Sequence, residues 1–172
     1  MRKYFLLIFF ILSICFNCGY TIKGGVSYTV ETARQISFAD VSKNIDIKQY
    51  KNYLHDEYFC KNMEAKTHHK NKFKNRSVTF FSDGTYGVVY KSNRNRGYYY
   101  DGKGDLEFIE ISKTKFYPKK YVRYNKEGSI DTIVLATTPR EAYIFNKDKK
   151  LIAHWIGNNC YNEAGELIKI RK

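Results

Sequence analysis

The chain has 172 residues, the length of one domain with room for a short N-terminal appendage. Apolar and aromatic residues make up 43% of it, which excludes a chain too polar to bury a core, and the 17% of aromatic residues favours β-structure. The formal net charge of +13 indicates an anionic partner such as anionic lipid, a cell-wall polymer or nucleic acid. We expect nucleic acid least, because scattered lysines are typical of a solvated surface.

The N-terminus predicts export. Met1 to Lys3 is positively charged, and Tyr4 to Ile14 is an apolar run too short for a comfortable transmembrane helix. Residues 1–19 are therefore expected to form a signal peptide. Cys15 and Cys18 are candidates for lipid attachment at a lipoprotein-type site, and ordinary cleavage is the alternative. We expect an envelope, periplasmic or extracellular protein that meets the membrane only through its signal or a lipid anchor.

Residues 20–60 are predicted to form a strand followed by short helices. The alternation from Val26 to Glu31 indicates a strand. Thr32 with Gln35 resembles a capping box that begins one amphipathic helix, and Asp46 begins a second. The apolar stripes of both helices need a sheet to cover them.

A basic segment separates these helices from the predicted sheet. Residues 61–76 are rich in lysine and are expected to form an exposed loop. The sheet should then occupy residues 77–172. Its first hairpin is predicted at Ser82 to Gly84, because Asp-Gly between β-branched and aromatic residues is a strong turn signal.

Four copies of one pattern organise the rest of the sheet. Each copy is an aromatic residue, Asp or Asn, two turn residues, usually Gly, a polar residue, and Leu or Ile. Asp or Asn favours the first position of a type I turn, and Gly three residues later closes a bulged hairpin. Lys149 replaces this Gly in the third copy and predicts a looser turn there. The predicted cross-strand pairs are Tyr100–Leu106, Tyr124–Ile130, Phe145–Leu151 and Tyr161–Leu167.

The pattern predicts an α+β fold, with short N-terminal helices packed on an antiparallel β-meander of repeated hairpins. On the face toward the helices we expect Tyr98 opposite Phe108. On the other face we expect Tyr99 opposite Glu107 and Arg123 opposite Asp131. That second face is predicted to be open, basic and rich in tyrosine.

The repeat between Gly97 and Lys172 resembles the hairpin repeats of the YD (RHS-like) and MORN-variant classes. Those families include envelope, toxin-delivery and antitoxin-type proteins. The resemblance implies an extended β-sheet architecture and leaves the activity open, because the motif specifies a turn and no chemistry.

The cysteines and histidines are the candidates for a disulfide, a catalytic group or a metal ligand. Cys60 and Cys160 are predicted to form a disulfide if the compartment oxidises thiols, and two buried or unpaired thiols are the alternative. His68 and His69 are expected to be solvated in the basic loop, and His154 to be a satisfied interface residue. No nucleophile, phosphate-loop or metal motif is recognisable. We therefore predict no cofactor and no metal, and assign no catalytic residue.

These observations predict an exported, envelope-associated structural or binding module, more a binder than an enzyme, of unstated oligomeric state. The binding candidates are Tyr99, Tyr121, Arg123 and Trp155, and the partner is an anionic envelope component or another protein. One alternative is a small secreted basic hydrolase, nuclease-like, using His154 with His68 or His69. Another is an antitoxin or immunity-type protein, which the family resemblance alone implies.

Overall fold

One antiparallel sheet makes up most of the computed structural model, which describes residues 28–58, 73 and 75–172. Each of its ten strands pairs with the next along the chain, so the predicted meander is confirmed in a fold that is mostly β. The helices are α1 (Val30–Phe38) and a 3₁₀ helix (Ile47–Tyr53). The strands are β1 (Arg76–Phe80), β2 (Tyr86–Tyr90), β3 (Arg96–Tyr100), β4 (Leu106–Ser112), β5 (Lys119–Asn125), β6 (Ile130–Thr138), β7 (Glu141–Asn146), β8 (Leu151–Ile156), β9 (Asn159–Asn162) and β10 (Leu167–Ile170).

Each repeat turn is built on one side-chain oxygen. Oδ1 of Asp101 accepts hydrogen bonds from the backbone N–H groups of Lys103, at 2.8 Å, and Asp105, at 2.9 Å. These bonds satisfy two donors inside the turn and fix its backbone. The equivalent bonds in the other three copies are accepted by Asn125, Asn146 and Asn162. All four predicted aromatic–aliphatic pairs are confirmed.

A left-handed residue closes every one of these turns. The backbone φ is 92° at Gly104, 83° at Gly128 and 80° at Gly165. Lys149 takes the same conformation with φ 64°, and the third turn keeps the same hydrogen bonds as the others. The looser third turn is therefore wrong, because the bonds to Asn146 outweigh the strain of a side chain at positive φ.

The hairpin predicted at Ser82 to Gly84 is confirmed and is a fifth copy of the repeat. Its backbone bonds match the others, with the N–H of Phe81 bonded to the carbonyl of Thr85 and that of Gly84 to the carbonyl of Phe81. Phe81 stands where the other copies have Asp or Asn. The spacing from Phe80 through Gly84 to Tyr86 carried this signal.

The bulge shifts the pairing beyond the β3–β4 turn by one residue. Tyr99 lies opposite Phe108 and Tyr98 opposite Ile109. The predicted Tyr98–Phe108 and Tyr99–Glu107 pairs are wrong, because Glu107 is the extra residue of the bulge and has no partner in the ladder. The predicted Arg123–Asp131 pair is wrong for the same reason, since Arg123 lies opposite Thr132.

The first helix begins earlier than the sequence pattern indicates. Thr29 is the N-cap, and its hydroxyl accepts a hydrogen bond from the N–H of Thr32. The predicted strand is therefore wrong from Val30 onward, and Thr32 with Gln35 lies inside the helix. A capping hydroxyl outweighs an alternation of only a few residues. The cap at Asp46 is confirmed, but the helix that it begins is 3₁₀.

The helices pack on the outer face of the sheet, as predicted. Phe38 at the end of α1 meets Phe145 edge to face at 6.1 Å. Tyr53 of the 3₁₀ helix stacks on Tyr98 at 4.1 Å, beside the buried Tyr50. This face carries the larger part of the aromatic core.

The first and last strands meet and give the sheet an inner face. Phe81 bridges to Arg171, the N–H of Ser82 bonds to the carbonyl of Ile170 and that of Lys172 bonds to the carbonyl of Phe80. The sheet is thereby curled into a half-barrel. The prediction that Tyr99 and Arg123 lie on an open surface is wrong, because their face of the sheet is turned inward.

Several predicted features lie outside the described residues. They are the signal peptide at 1–19, the lipid-attachment candidates Cys15 and Cys18, the cysteine Cys60, and most of the basic loop with His68 and His69. Within the part of the chain that is described, no helix is long and apolar enough to cross a bilayer.

Substitution of two glycines distinguishes the cost of backbone strain from the cost of steric crowding. Both Gly128 and Gly165 have positive φ, but a Cβ at Gly128 would meet the carbonyl oxygen of Ile45 at 2.2 Å, whereas one at Gly165 meets nothing within 4 Å. We expect Gly165→Ala to lower the free energy of unfolding by about 1 kcal/mol. Gly128→Ala should lower it by about 1–3 kcal/mol more, because the Ile45 backbone is displaced. Urea unfolding measures both free energies. Equal losses in the two variants would contradict the packing of the Ile45 backbone on the turn at Gly128.

Candidate functional site

The inner face of the sheet encloses two cavities that share a wall. Their volumes are about 430 and 260 Å³. Tyr99, Arg123 and Trp155 line both cavities, and Tyr121 lines the second. The structure therefore brings together all four residues that the sequence singled out for binding, inside the curl of the sheet.

An aromatic row forms the shared wall. Tyr99 stacks on Phe108, with ring centroids 4.4 Å apart, and lies 6.3 Å from Phe81. Phe81 in turn lies 5.9 Å from Trp155. Because these rings come from the end of β1 and from β3, β4 and β8, the row exists only when the sheet is curled.

Two glycines make room for Tyr99. A Cβ at Gly87 would stand 2.8 Å from the Tyr99 ring, and one at Gly97 would stand 3.1 Å from it. Glycine inside a strand marks such a close approach. The Tyr99 ring thus lies flat on the inner surface, and the space above it remains open as cavity.

Arg123 is held by a buried ion pair on the same face. Its Nε donates to Glu110 at 2.8 Å, and the two side chains are only 15% and 13% exposed. The Tyr99 hydroxyl donates to the other Glu110 oxygen at 3.2 Å. Burial alone would lower the pKa of Arg123, but Glu110 raises it, so the guanidinium stays charged. Burial and then Glu110 also raise the pKa of Tyr99, and they raise that of Tyr121 to about 12.

Arg171 is the cation of the site that sequence analysis missed. Its guanidinium carbon lies 4.3 Å from the centre of the Trp155 ring, and the residue lines both cavities. It forms no ion pair with any residue that the structure describes. Its place after β10 gave no signal, because only the pairing of the two end strands brings it to Trp155.

The remaining charges of the larger cavity are balanced or lie at its rim. Lys169 pairs with Asp83 at 2.7 Å. Glu107 and Asp131 line the cavity but are exposed, so solvent screens them. The Glu107 carboxyl is only partly covered by neighbouring residues, and this partial burial raises its pKa. Arg171 therefore supplies the positive charge that nothing in the described wall neutralises.

Cys160 lies on the same inner face. It is buried, it forms no disulfide with a described residue, and burial raises the pKa of its thiol. Cys60 lies outside the described residues, so the predicted disulfide remains a prediction. The described residues contain no cluster of His, Cys, Asp and Glu that could hold a metal ion.

His154 lies on the opposite face of the sheet. Its ring stacks on Tyr143 at 4.2 Å, and its Nε2 lies 3.4 Å from Glu141 without forming a hydrogen bond. Burial lowers the pKa of His154, and the Glu141 carboxylate opposes this only in part. The histidine of the hydrolase alternative thus lines neither inner cavity.

The buried ion pair gives a first test of this geometry. We expect Arg123→Met to lower the free energy of unfolding by about 3–5 kcal/mol, because Glu110 is left buried and uncompensated. Adding Glu110→Gln should recover most of the loss. The control is Lys150→Met, which breaks the exposed pair with Glu163 and should cost at most about 1 kcal/mol. Equal losses in the two single variants would place Arg123 in solvent.

The acid sensitivity of the fold gives a second test. Because His154 has a lowered pKa, the unfolded chain binds its proton first as the pH falls below the ordinary value of 6.5. Its contribution to stability is complete above that value and is lost toward lower pH. We expect the free energy of unfolding to fall less between about pH 7.5 and 5.5 in His154→Phe, which keeps a ring on Tyr143. An unchanged fall in His154→Phe would contradict the assignment.

Comparisons with known proteins add no relative. No protein-family model, no curated protein and no solved structure matches the chain.

Proposed function

We propose that this chain is an exported, envelope-associated binding module that holds an anionic ligand with a planar apolar part inside its curled sheet. The observation that carries the proposal is the Arg171 guanidinium on the Trp155 ring, without a carboxylate partner among the described residues. A cation placed in a cavity wall and left unneutralised favours an anion there.

The division of roles between the two arginines supports an anionic ligand. Arg123 is already bound by Glu110, so it contributes shape and a fixed edge to the cavity. Arg171 keeps its in-plane N–H donors for a carboxylate, sulfonate or phosphate group. Low local polarity beside Phe81 and Trp155 strengthens such a bond relative to one in water.

The aromatic row supports the apolar part of the ligand. Phe81 and Trp155 are both buried and lie 5.9 Å apart along the wall of the larger cavity. Sugars and aromatic rings stack on such surfaces. A volume of about 430 Å³ lies within the range of small-molecule sites, so the ligand is a small molecule or one group of a larger polymer.

The proposed location follows from the N-terminal signal pattern and the net charge of +13. An anionic envelope component is the partner that this charge attracts. The hairpin repeat, with its resemblance to the YD and MORN-variant classes, supports a structural or binding role. The hydrolase alternative is less favoured, since His154 and the cavities lie on opposite faces of the sheet.

Fluorescence can test the site directly, because Trp155 is the only tryptophan. We expect anilinonaphthalene sulfonate, an anionic aromatic probe, to quench Trp155 by energy transfer in the folded protein. Arg171→Met should weaken its binding about tenfold, and Arg171→Lys should weaken it less, since the charge remains.

The matched control is Lys172→Met, which removes a neighbouring exposed cation and should leave probe binding unchanged. A thermal melt must show that each variant is folded, because this probe also binds partly unfolded chains. Equal binding by the Arg171→Met and Lys172→Met variants would refute the ligand site. If Arg171→Met alone weakens binding, competition by envelope fractions will identify the natural ligand.

A further inference from the structure

The two ends of the sheet carry different turns. In a meander, alternate turns lie at the same end, so all five copies of the repeat turn lie together. The connections β2–β3, β4–β5, β6–β7 and β8–β9 lie at the other end. The structure supports this grouping, since the N–H of Ser112 bonds to the carbonyl of Asn95 and that of Gly157 bonds to the carbonyl of Arg140.

Charge separates these ends sharply. The connections 91–95, 113–118, 139–140 and 157–158, here named the basic end, contain no Asp or Glu. Their five cations are Lys91, Arg94, Lys113, Lys115 and Arg140, and all are exposed. The five repeat turns carry seven acidic residues against five lysines. The connections at the basic end are therefore purely cationic, whereas the repeat turns carry a small excess of acidic residues.

Apolar side chains project from the same end. Phe116 is 74% exposed, Tyr117 is 44% exposed and Ile156 is 54% exposed. Lys115 lies 5.5 Å from the Phe116 ring and Lys119 lies 5.1 Å from the Tyr117 ring. The connection between β4 and β5 is thus an aromatic tip surrounded by cations.

We propose that the basic end docks on an anionic lipid bilayer, with Phe116 and Tyr117 inserted among the headgroups. Cations near an anionic bilayer are attracted to its surface, and aromatic side chains prefer its interface. A soluble polyanion would use the cations but leaves the exposed Phe116 ring in water. This combination of charge and apolar tip favours the bilayer over a polyanion.

The proposal goes beyond the ligand site, because Phe116, Lys113 and Lys115 line neither cavity, although Tyr117 and Arg94 line the smaller one with Arg171.

The insertion can be measured at the tip itself. In a Trp155→Phe background, Phe116→Trp places the only indole at the basic end. We expect its emission to shift to the blue and to be quenched by brominated acyl chains in vesicles of phosphatidylcholine with phosphatidylglycerol. Vesicles of phosphatidylcholine alone should give little effect, because the charge attraction is absent. The matched control is Lys149→Trp in the same background, at the opposite end, which should show neither effect.

Sedimentation with the same vesicles provides a second measurement that leaves Trp155 intact. Lys113→Gln with Lys115→Gln should weaken binding more than tenfold, whereas Lys126→Gln with Lys147→Gln, in the repeat turns, should change it little. Phe116→Ser should weaken binding about tenfold. Equal loss in both lysine pairs, quenching at Lys149→Trp, or binding to polyphosphate that ignores Phe116→Ser would overturn the proposal. The probe site at Arg171 should be unchanged in these variants, so the two proposals fail separately.

Discussion

The side-chain oxygen at the first position of the repeat turn fixes the geometry on which the sheet depends. In four turns it accepts two backbone N–H bonds, and the residue three positions later then adopts a left-handed conformation. In the turn after Tyr100 this forces a bulge at Glu107, which moves the following strand by one residue. The bulge decides which side chains face the helices and which face the inside of the curl.

The inner face combines features that oppose one another energetically. A buried ion pair such as Arg123–Glu110 costs desolvation that its attraction only partly offsets. The ion pair acts here on geometry, because Glu110 also accepts a hydrogen bond from the Tyr99 hydroxyl and so fixes the Tyr99 ring over Gly87. The surface that results is rigid, aromatic and almost neutral. Among the cations that line the larger cavity, Arg171 is the one without an ion-pair partner among the described residues.

Local chemistry was predictable from the sequence and long-range geometry was not. The turns, the aromatic–aliphatic pairs and the cap at Asp46 follow from residues within one turn of each other, and the sequence indicated them. The predicted pairing beyond the bulge was wrong, because one extra residue moves every following side chain of the strand to the other face of the sheet. The start of the first helix was predicted at Thr32 and lies at Thr29, because both residues offer a hydroxyl that can cap a helix.

The candidate site shows the same division. Tyr99, Tyr121, Arg123 and Trp155 were selected for residue type and prove to lie together, but the expectation of an open surface missed the curl. Arg171 carried no pattern of its own. Its position depends on the bridge to Phe81, which joins segments far apart in the chain. No local rule predicts such a contact.

That bridge also sets the order in which the molecule can mature. Phe81 precedes Arg171 by 90 residues and Trp155 precedes it by 16, so both rings are added to the growing chain first. The cation reaches the aromatic wall only after all ten strands have been added and the two ends of the sheet have met. A chain that lacks its last residues therefore has the repeat turns and the outer core but not the complete wall of aromatic rings and Arg171. That wall is a property of the finished fold.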